Sequence, residues 1–190
     1  MQVTPVDGHN NLFQVEDLVP ESLLNKINST AWLDLPYEIT EKQEHFVRKS
    51  ISDETLSWNK EWRDNIDLFR RTVLLKLLAD MDIRLKQWHT TKWWVDEPGF
   101  SCDMHVDDPR VKIVIQMYWI GQENNGTTFY NSNNFDDVRK PFIAKTNTGY
   151  LAIHIKDDNN QLPELWHAMM EPIPENTFRL TSFTWFVPVK

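Results

Sequence analysis

The hydrophobic period of the chain changes once, near Ile83, and that change constrains the fold more than any other feature. Before it, Trp62, Ile66, Phe69, Val73, Leu74, Leu77 and Leu78 recur at spacings of three and four, the apolar stripe of an amphipathic helix. After it, residues 83–97 are rich in β-branched and aromatic types and end at the turn signal Pro98-Gly99. Further strands are predicted around 101–107, 111–120, 127–130, 149–155, 164–170 and 178–187, with Asn124-Asn125-Gly126 as a turn. The run 111–120 is apolar on both faces and reads as a buried strand. Helices first and short strands afterwards imply a segregated arrangement, an antiparallel sandwich or barrel with helices packed on one side. One domain is expected for 190 residues, with residues 1–82 as mostly helical support and 83–190 as the β core.

The N-terminal part is less regular. Leu12, Phe13 and Val15 predict a short strand. Pro20 and Glu21 suit the start of a helix with Leu23, Leu24 and Ile27 on its apolar face, ending near Asn28-Ser29-Thr30. Residues 31–58 are polar and interrupted, with Trp32, Leu33 and Leu35 expected to touch the core, and residues 131–147 read as a polar loop.

Composition excludes several function classes. The net charge of -8 and the absence of a basic run argue against broad nucleic-acid binding and leave a peptide, a neutral small molecule or a cationic substrate as partner. Cys102 is the only cysteine, so no intramolecular disulfide or thiolate zinc site is available, and a reducing compartment fits. No charged leader precedes an apolar run, and no apolar stretch approaches the length of a membrane helix, so no membrane partner and a cytoplasmic location are expected. Nine Trp and ten Phe are unusually many; most are expected in the core, and a surplus of aromatics also suits a concave pocket.

The chemistry centres on Asp103-Met104-His105-Val106-Asp107-Asp108-Pro109. In an extended segment, His105 and Asp107 leave the same face. An imidazole beside a carboxylate forms two-thirds of the 2-His-1-carboxylate triad that holds iron(II) with coordination positions left open. His167, near the start of a late strand, is the natural third ligand, and twelve residues later comes Arg179. The other histidines are assigned plainer roles. His45 reads as a surface residue and His89 as a satisfied structural one. His154 alternates with Tyr150 and Ala152, and either lines the pocket or faces solvent.

In this order the segments resemble the iron(II)- and 2-oxoglutarate-dependent oxygenases, in their prolyl-4-hydroxylase-like branch. Trp93 to Gly99 is similar to the family strand and turn before the metal motif, and His105-Val106-Asp107-Asp108-Pro109 to the motif itself. Tyr118-Trp119-Ile120 with Gly126-Thr127-Thr128-Phe129, then Gly149 to Ile155, His167 and Arg179-Leu180-Thr181, complete a resemblance covering residues 92–188. It implies a mainly β fold, a double-stranded β-helix (jelly roll) core with N-terminal supporting helices. It also implies His105, Asp107 and His167 as metal ligands and the catalytic centre, with Fe(II), 2-oxoglutarate as co-substrate, dioxygen, and ascorbate as reductant. Arg179, aided by Thr181 and Tyr118, would anchor the far carboxylate of 2-oxoglutarate, because a guanidinium forks onto a carboxylate with two charge-assisted bonds. Register leaves open whether Tyr118 or Trp119 faces the co-substrate. The gap from His167 to Arg179 is longer than the family's usual one, and residues 171–176 are expected to absorb it as an extended turn. The implied reaction is oxidation of a C–H bond, most simply hydroxylation, of a prolyl or other protein side chain or of a small molecule. Two rivals share the ligands: a non-catalytic cupin-like metal- or ligand-binding module, and a metal-dependent isomerase or hydrolase.

Overall fold

The computed structural model describes residues 1–6, 11–43, 46–79, 81–107, 113–154 and 165–189, with backbone alone for 41–43 and 46. His45, Asp108, Pro109, Ile155 and the polar stretch after it lie outside the described residues. Among the described residues, twelve strands form two antiparallel sheets. The larger sheet has the order β1 (Gln2–Pro5), β2 (Leu12–Glu16), β10 (Thr148–Ile153), β7 (Ile113–Ile120), β12 (Arg179–Pro188), β5 (Leu85–Asp96), β4 (Phe46–Ser52), β3 (Ile39–Gln43). The smaller has the order β6 (Cys102–His105), β11 (Trp166–Met169), β8 (Thr128–Tyr130), β9 (Val138–Pro141).

The period of two decides which residues face what. On β7, Ile113, Ile115, Met117 and Trp119 join the core under the helices, whereas Val114 and Tyr118 join a second cluster between the sheets. The same alternation sends Leu180 and Phe186 of β12 and Trp93 and Val95 of β5 toward the helices. Trp93 sits at the centre of that core, its ring centroid 4.8 Å from Trp62, 5.1 Å from Trp32, 5.2 Å from Trp58 and 5.7 Å from Trp119. Two of the indole groups there find buried partners, Trp62 Nε1 donating to Thr91 Oγ1 at 3.0 Å and Trp119 Nε1 to Ser182 Oγ at 2.9 Å, whereas Trp93 Nε1 has none.

Both predicted helices are present. α1 covers Glu21–Ser29 and buries Leu23 and Ile27. The second is not continuous. α2 (Asn59–Phe69) passes through a π turn at Arg70–Leu74 into α3 (Leu75–Ala79). The wider turn accommodates a five-residue step from buried Phe69 to buried Leu74, leaving Val73 only partly covered.

Three departures from expectation concern edges. Strands β1 and β9 extend the two sheets, and residues 39–52 form a hairpin, β3–β4, that continues the larger sheet past β5. Polar segments can do this because an edge strand needs fewer apolar residues and is protected by charge. Leu33, expected in the core, is 53% exposed, whereas neighbouring Trp32 is buried. His89 is structural but not satisfied. Both ring nitrogens are buried without a hydrogen-bond partner, the ring lies against Phe186, and burial lowers its pKa.

Candidate metal and co-substrate site

A cavity of about 350 Å³ opens between the sheets. The smaller sheet brings its histidines together by register, since His167 on β11 pairs directly with His105 at the end of β6. Their ring centroids are 4.3 Å apart. Asp107 lies just beyond β6, with Oδ1 3.7 Å from His167 Nε2 and 4.0 Å from His105 Nε2. One ligand atom from each of His105, Asp107 and His167 falls within 4.8 Å of the others, the spacing of donors around one ion.

The rings are oriented for that task. His105 Nδ1 lies 2.8 Å from the Asp103 carbonyl, and His167 Nδ1 lies 2.9 Å from the Leu165 carbonyl. A carbonyl only accepts, so each Nδ1 carries a proton, and in the neutral ring the lone pair is left on Nε2, the arrangement typical of metal-binding histidines. Their environments differ. Hydrogen bonding to the Cys102 thiol, against opposing burial, pushes His105 up to about 9, while burial lowers His167.

His154 resolves toward the cavity side. It is buried, and its Nε2 lies 3.7 Å from Asp107 Oδ2, the oxygen turned away from the other two histidines. Asp107 thus has one oxygen toward the His105–His167 pair and the other toward His154.

The predicted anchor, Arg179, is buried and lines the same cavity. Its side-on edge is already engaged. Nε and Nη2 donate to Asp96 Oδ2 at 2.9 and 2.7 Å, and Nη1 donates to the Asn125 carbonyl at 2.8 Å. Two of the five guanidinium donors remain for a ligand. Thr181 is buried on the same strand face, opposite Trp94 and Tyr118. Of the Tyr118–Trp119 pair, Tyr118 faces the space between the sheets. Its hydroxyl donates to Thr127 Oγ1 at 2.8 Å and accepts from Thr127 N at 2.9 Å. That double engagement turns the Tyr118 hydroxyl to Thr127, and the polar wall of the cavity is built from Thr127, Gln116 and Tyr150. Tyr150 donates to Gln116 Oε1 at 3.0 Å.

Residues 171–176 form the connection between β11 and β12. Ile173 pairs with Gly99 and Phe100, the Thr177 amide closes a turn on Pro174, and Asn176 takes a positive φ of 63°. Gly99, at φ 84°, permits the Pro98-Gly99 turn against this segment.

Arg48 and Lys92 of the cavity lining, and Asp96 behind Arg48 and Arg179, were not singled out from sequence. Arg48 and Asp96 pair in register across β4 and β5, with Arg48 Nε 3.0 Å from Asp96 Oδ1. The hairpin beside β5 completes an Arg48–Asp96–Arg179 row.

No family model matches the chain, and no curated protein matches it by sequence. Solved structures match its fold. The chain is similar to the viral collagen prolyl hydroxylase of Paramecium bursaria Chlorella virus-1, solved as its 2OG complex, with a TM-score of 0.64 at 14% identity over 97% of this chain and 99% of that one. It is similar to a prolyl-4-hydroxylase of Pseudomonas putida, with a TM-score of 0.63 at 13% identity over 93% and 92% of the two chains. The non-heme alpha-ketoglutarate-dependent epimerase SnoN from nogalamycin biosynthesis matches with a TM-score of 0.62 at 12% identity over 93% and 77%. The fold is therefore a double-stranded β-helix, similar to that of these solved structures. Among the described residues, no helix is long and apolar enough to cross a membrane.

Proposed function

We propose that the chain is an iron(II)- and 2-oxoglutarate-dependent oxygenase that oxidises a C–H bond, most simply by hydroxylation. The observation that carries this reading is the His105–Asp107–His167 cluster in the same cavity as the buried Arg179. Two imidazoles and a carboxylate are the donor set of the iron(II) facial triad, and they leave coordination positions for a chelating co-substrate. Bound iron supplies the dioxygen chemistry that couples 2-oxoglutarate decarboxylation to substrate oxidation. His105, Asp107 and His167 would hold the metal, the two rings being fixed by the Asp103 and Leu165 carbonyls. Arg179 offers its two remaining donors to the far carboxylate, held in place by Asp96 and Asn125. Thr181 shares its face. The aromatic walls, Trp94, Phe183 and Trp185, exclude water from the reacting groups.

The test is succinate release from 2-oxoglutarate with iron(II), ascorbate and air. A second reading, the non-catalytic cupin-like module, is favoured by one observation: Arg179 already satisfies a structural role toward Asp96. Iron binding without calorimetric 2-oxoglutarate binding would decide for that module.

A further inference from the structure

We propose that Arg48 is the anion receptor of a second subsite in this cavity, and that the substrate carries a carboxylate or phosphate on an apolar body. The inference rests on the oxygenase reading, because it gives the substrate the part of the cavity that iron and 2-oxoglutarate leave.

Arg48 is half-buried, on the edge hairpin, and lines the cavity. Its guanidinium carbon lies 4.1 Å from the centroid of the Trp94 ring and 4.8 Å from that of Phe100. Two aromatic faces and the Asp96 carboxylate hold the group, so little side-chain entropy is left to lose on binding. Its two terminal amino groups make no hydrogen bond to the protein among the described residues; the polar contact is the Nε ion pair at 3.0 Å. A restrained guanidinium with its terminal donors uncommitted is suited to a carboxylate or a phosphate.

Charge balance points the same way. Arg48 and Arg179 share one carboxylate, so the row carries an excess positive charge before any ligand arrives. Lys92 adds another from the Trp94 face of β5, its ammonium 5.9 Å from that ring. The cavity lining thus holds three basic residues against one acid, Asp107, which the metal reading already uses. In a chain with 20 basic and 28 acidic residues this excess is not background composition. Arg179 and Arg48 also sit on different flanks. Arg179 stands on β12, which pairs with β7, whereas Arg48 stands on β4, on the far side of β5, so Asp96 separates the two. Arg48 sits beyond Asp96, among Trp94, Phe100 and the row of Lys92, with Phe183 opposite Lys92 across β12.

The test is anaerobic calorimetry on the intact chain saturated with iron(II) and 2-oxoglutarate. The probes are 3-phenylpropionate and phenyl phosphate, each against a neutral partner, 3-phenylpropionamide or phenol. The expected result is an acid preference of about tenfold or more, the worth of one charge-assisted hydrogen bond. The better acid tells carboxylate from phosphate. Arg48→Met should erase the preference and Arg48→Lys should keep part of it. Should Arg48→Met fail a circular-dichroism check, Lys92→Met, which leaves Asp96 and its partners intact, should still reduce the preference. Equal affinity for acid and neutral probes overturns the proposal. So does an Arg48→Met variant that loses 2-oxoglutarate rather than the acid probe, since Arg48 would then belong to the co-substrate anchor. Absence of 2-oxoglutarate binding to the wild type sinks the oxygenase reading instead, and is visible before any acid probe is added.

Discussion

The two faces of the larger sheet are built from the same strands and have opposite characters. Toward the helices, β5, β7 and β12 present Trp93, Val95, Ile115, Met117, Trp119, Leu180 and Phe186, closed over by Trp32, Trp58 and Trp62. Toward the smaller sheet they present Asp96, Gln116, Tyr118, Arg179 and Thr181. One face gains from burying apolar area. The other holds buried charge, whose desolvation roughly cancels its pairing energy and which is retained for what it binds. The comparison teaches a division of labour within each strand: one residue in two stabilises, and its neighbour serves the site.

The largest effects should break that division from the stabilising side. Trp93→Ala removes the centre of the tryptophan cluster and should lower stability by about 3–5 kcal/mol, read by denaturant unfolding. Iron(II) affinity of the folded fraction should be unchanged; a selective loss of iron binding would show that the two faces are coupled. Arg179→Leu tests the exception. It leaves fully buried Asp96 with Arg48 alone, so it should lower stability by up to about 3–5 kcal/mol as well as removing 2-oxoglutarate binding in calorimetry. Arg179→Lys keeps the charge and should lose less of both. Unaltered unfolding in the Leu variant would remove Asp96 from the stabilising account.

On the chemical face, His167→Ala should reduce iron(II) affinity by more than the roughly 10- to 100-fold of an outer-shell change, with a stability loss near 1 kcal/mol from the lost Leu165 hydrogen bond. His154→Gln should cost about tenfold or less in iron affinity, because His154 faces the far oxygen of Asp107 and positions that carboxylate. If the His154 variant loses more iron affinity than the His167 variant, the ligand assignment reverses.

How much of this was legible beforehand follows from the same alternation. Strands with two buried faces, such as β7 and β10, and the stripes of α1 and α2 announce themselves by apolar period. So does the His-x-Asp spacing, because it is local. The hairpin β3–β4 does not, since it is a polar edge whose apolar members are few, Val47 and Ile51 among them. Missing it hid Arg48, and with Arg48 the fact that Asp96 engages Arg179. That pairing joins residues 83 positions apart and is a product of register, which composition does not reveal. Tyr118 and His154 were ambiguous for a related reason: the strand was clear, but which of its faces met the cavity depended on the partner sheet.

The smallest expected effect lies on the stabilising face, at its one histidine on β5. His89 is held among Phe186 and the charges of Asp53, Asp67, Arg63 and Arg70, and burial lowers its pKa from the ordinary 6.5. Its folded pKa is therefore below its unfolded one, and the unfolded chain takes up the proton first. The sign follows: the neutral ring's contribution is fully present above 6.5 and is lost as pH falls from there through the folded pKa. His89→Leu removes both the titration and two buried nitrogens that lack partners. Above about pH 7 the variant should lie within about 1 kcal/mol of wild type, since an apolar group of similar shape replaces an unsatisfied polar one. As pH falls below about 6.5 toward the folded pKa the wild type should lose stability faster than the variant, by under about 1.4 kcal/mol per pH unit for a single proton. Urea unfolding at several pH values checks it. Parallel pH curves would mean that His89 is solvated, and that the dry face of the sheet ends before β5 reaches it.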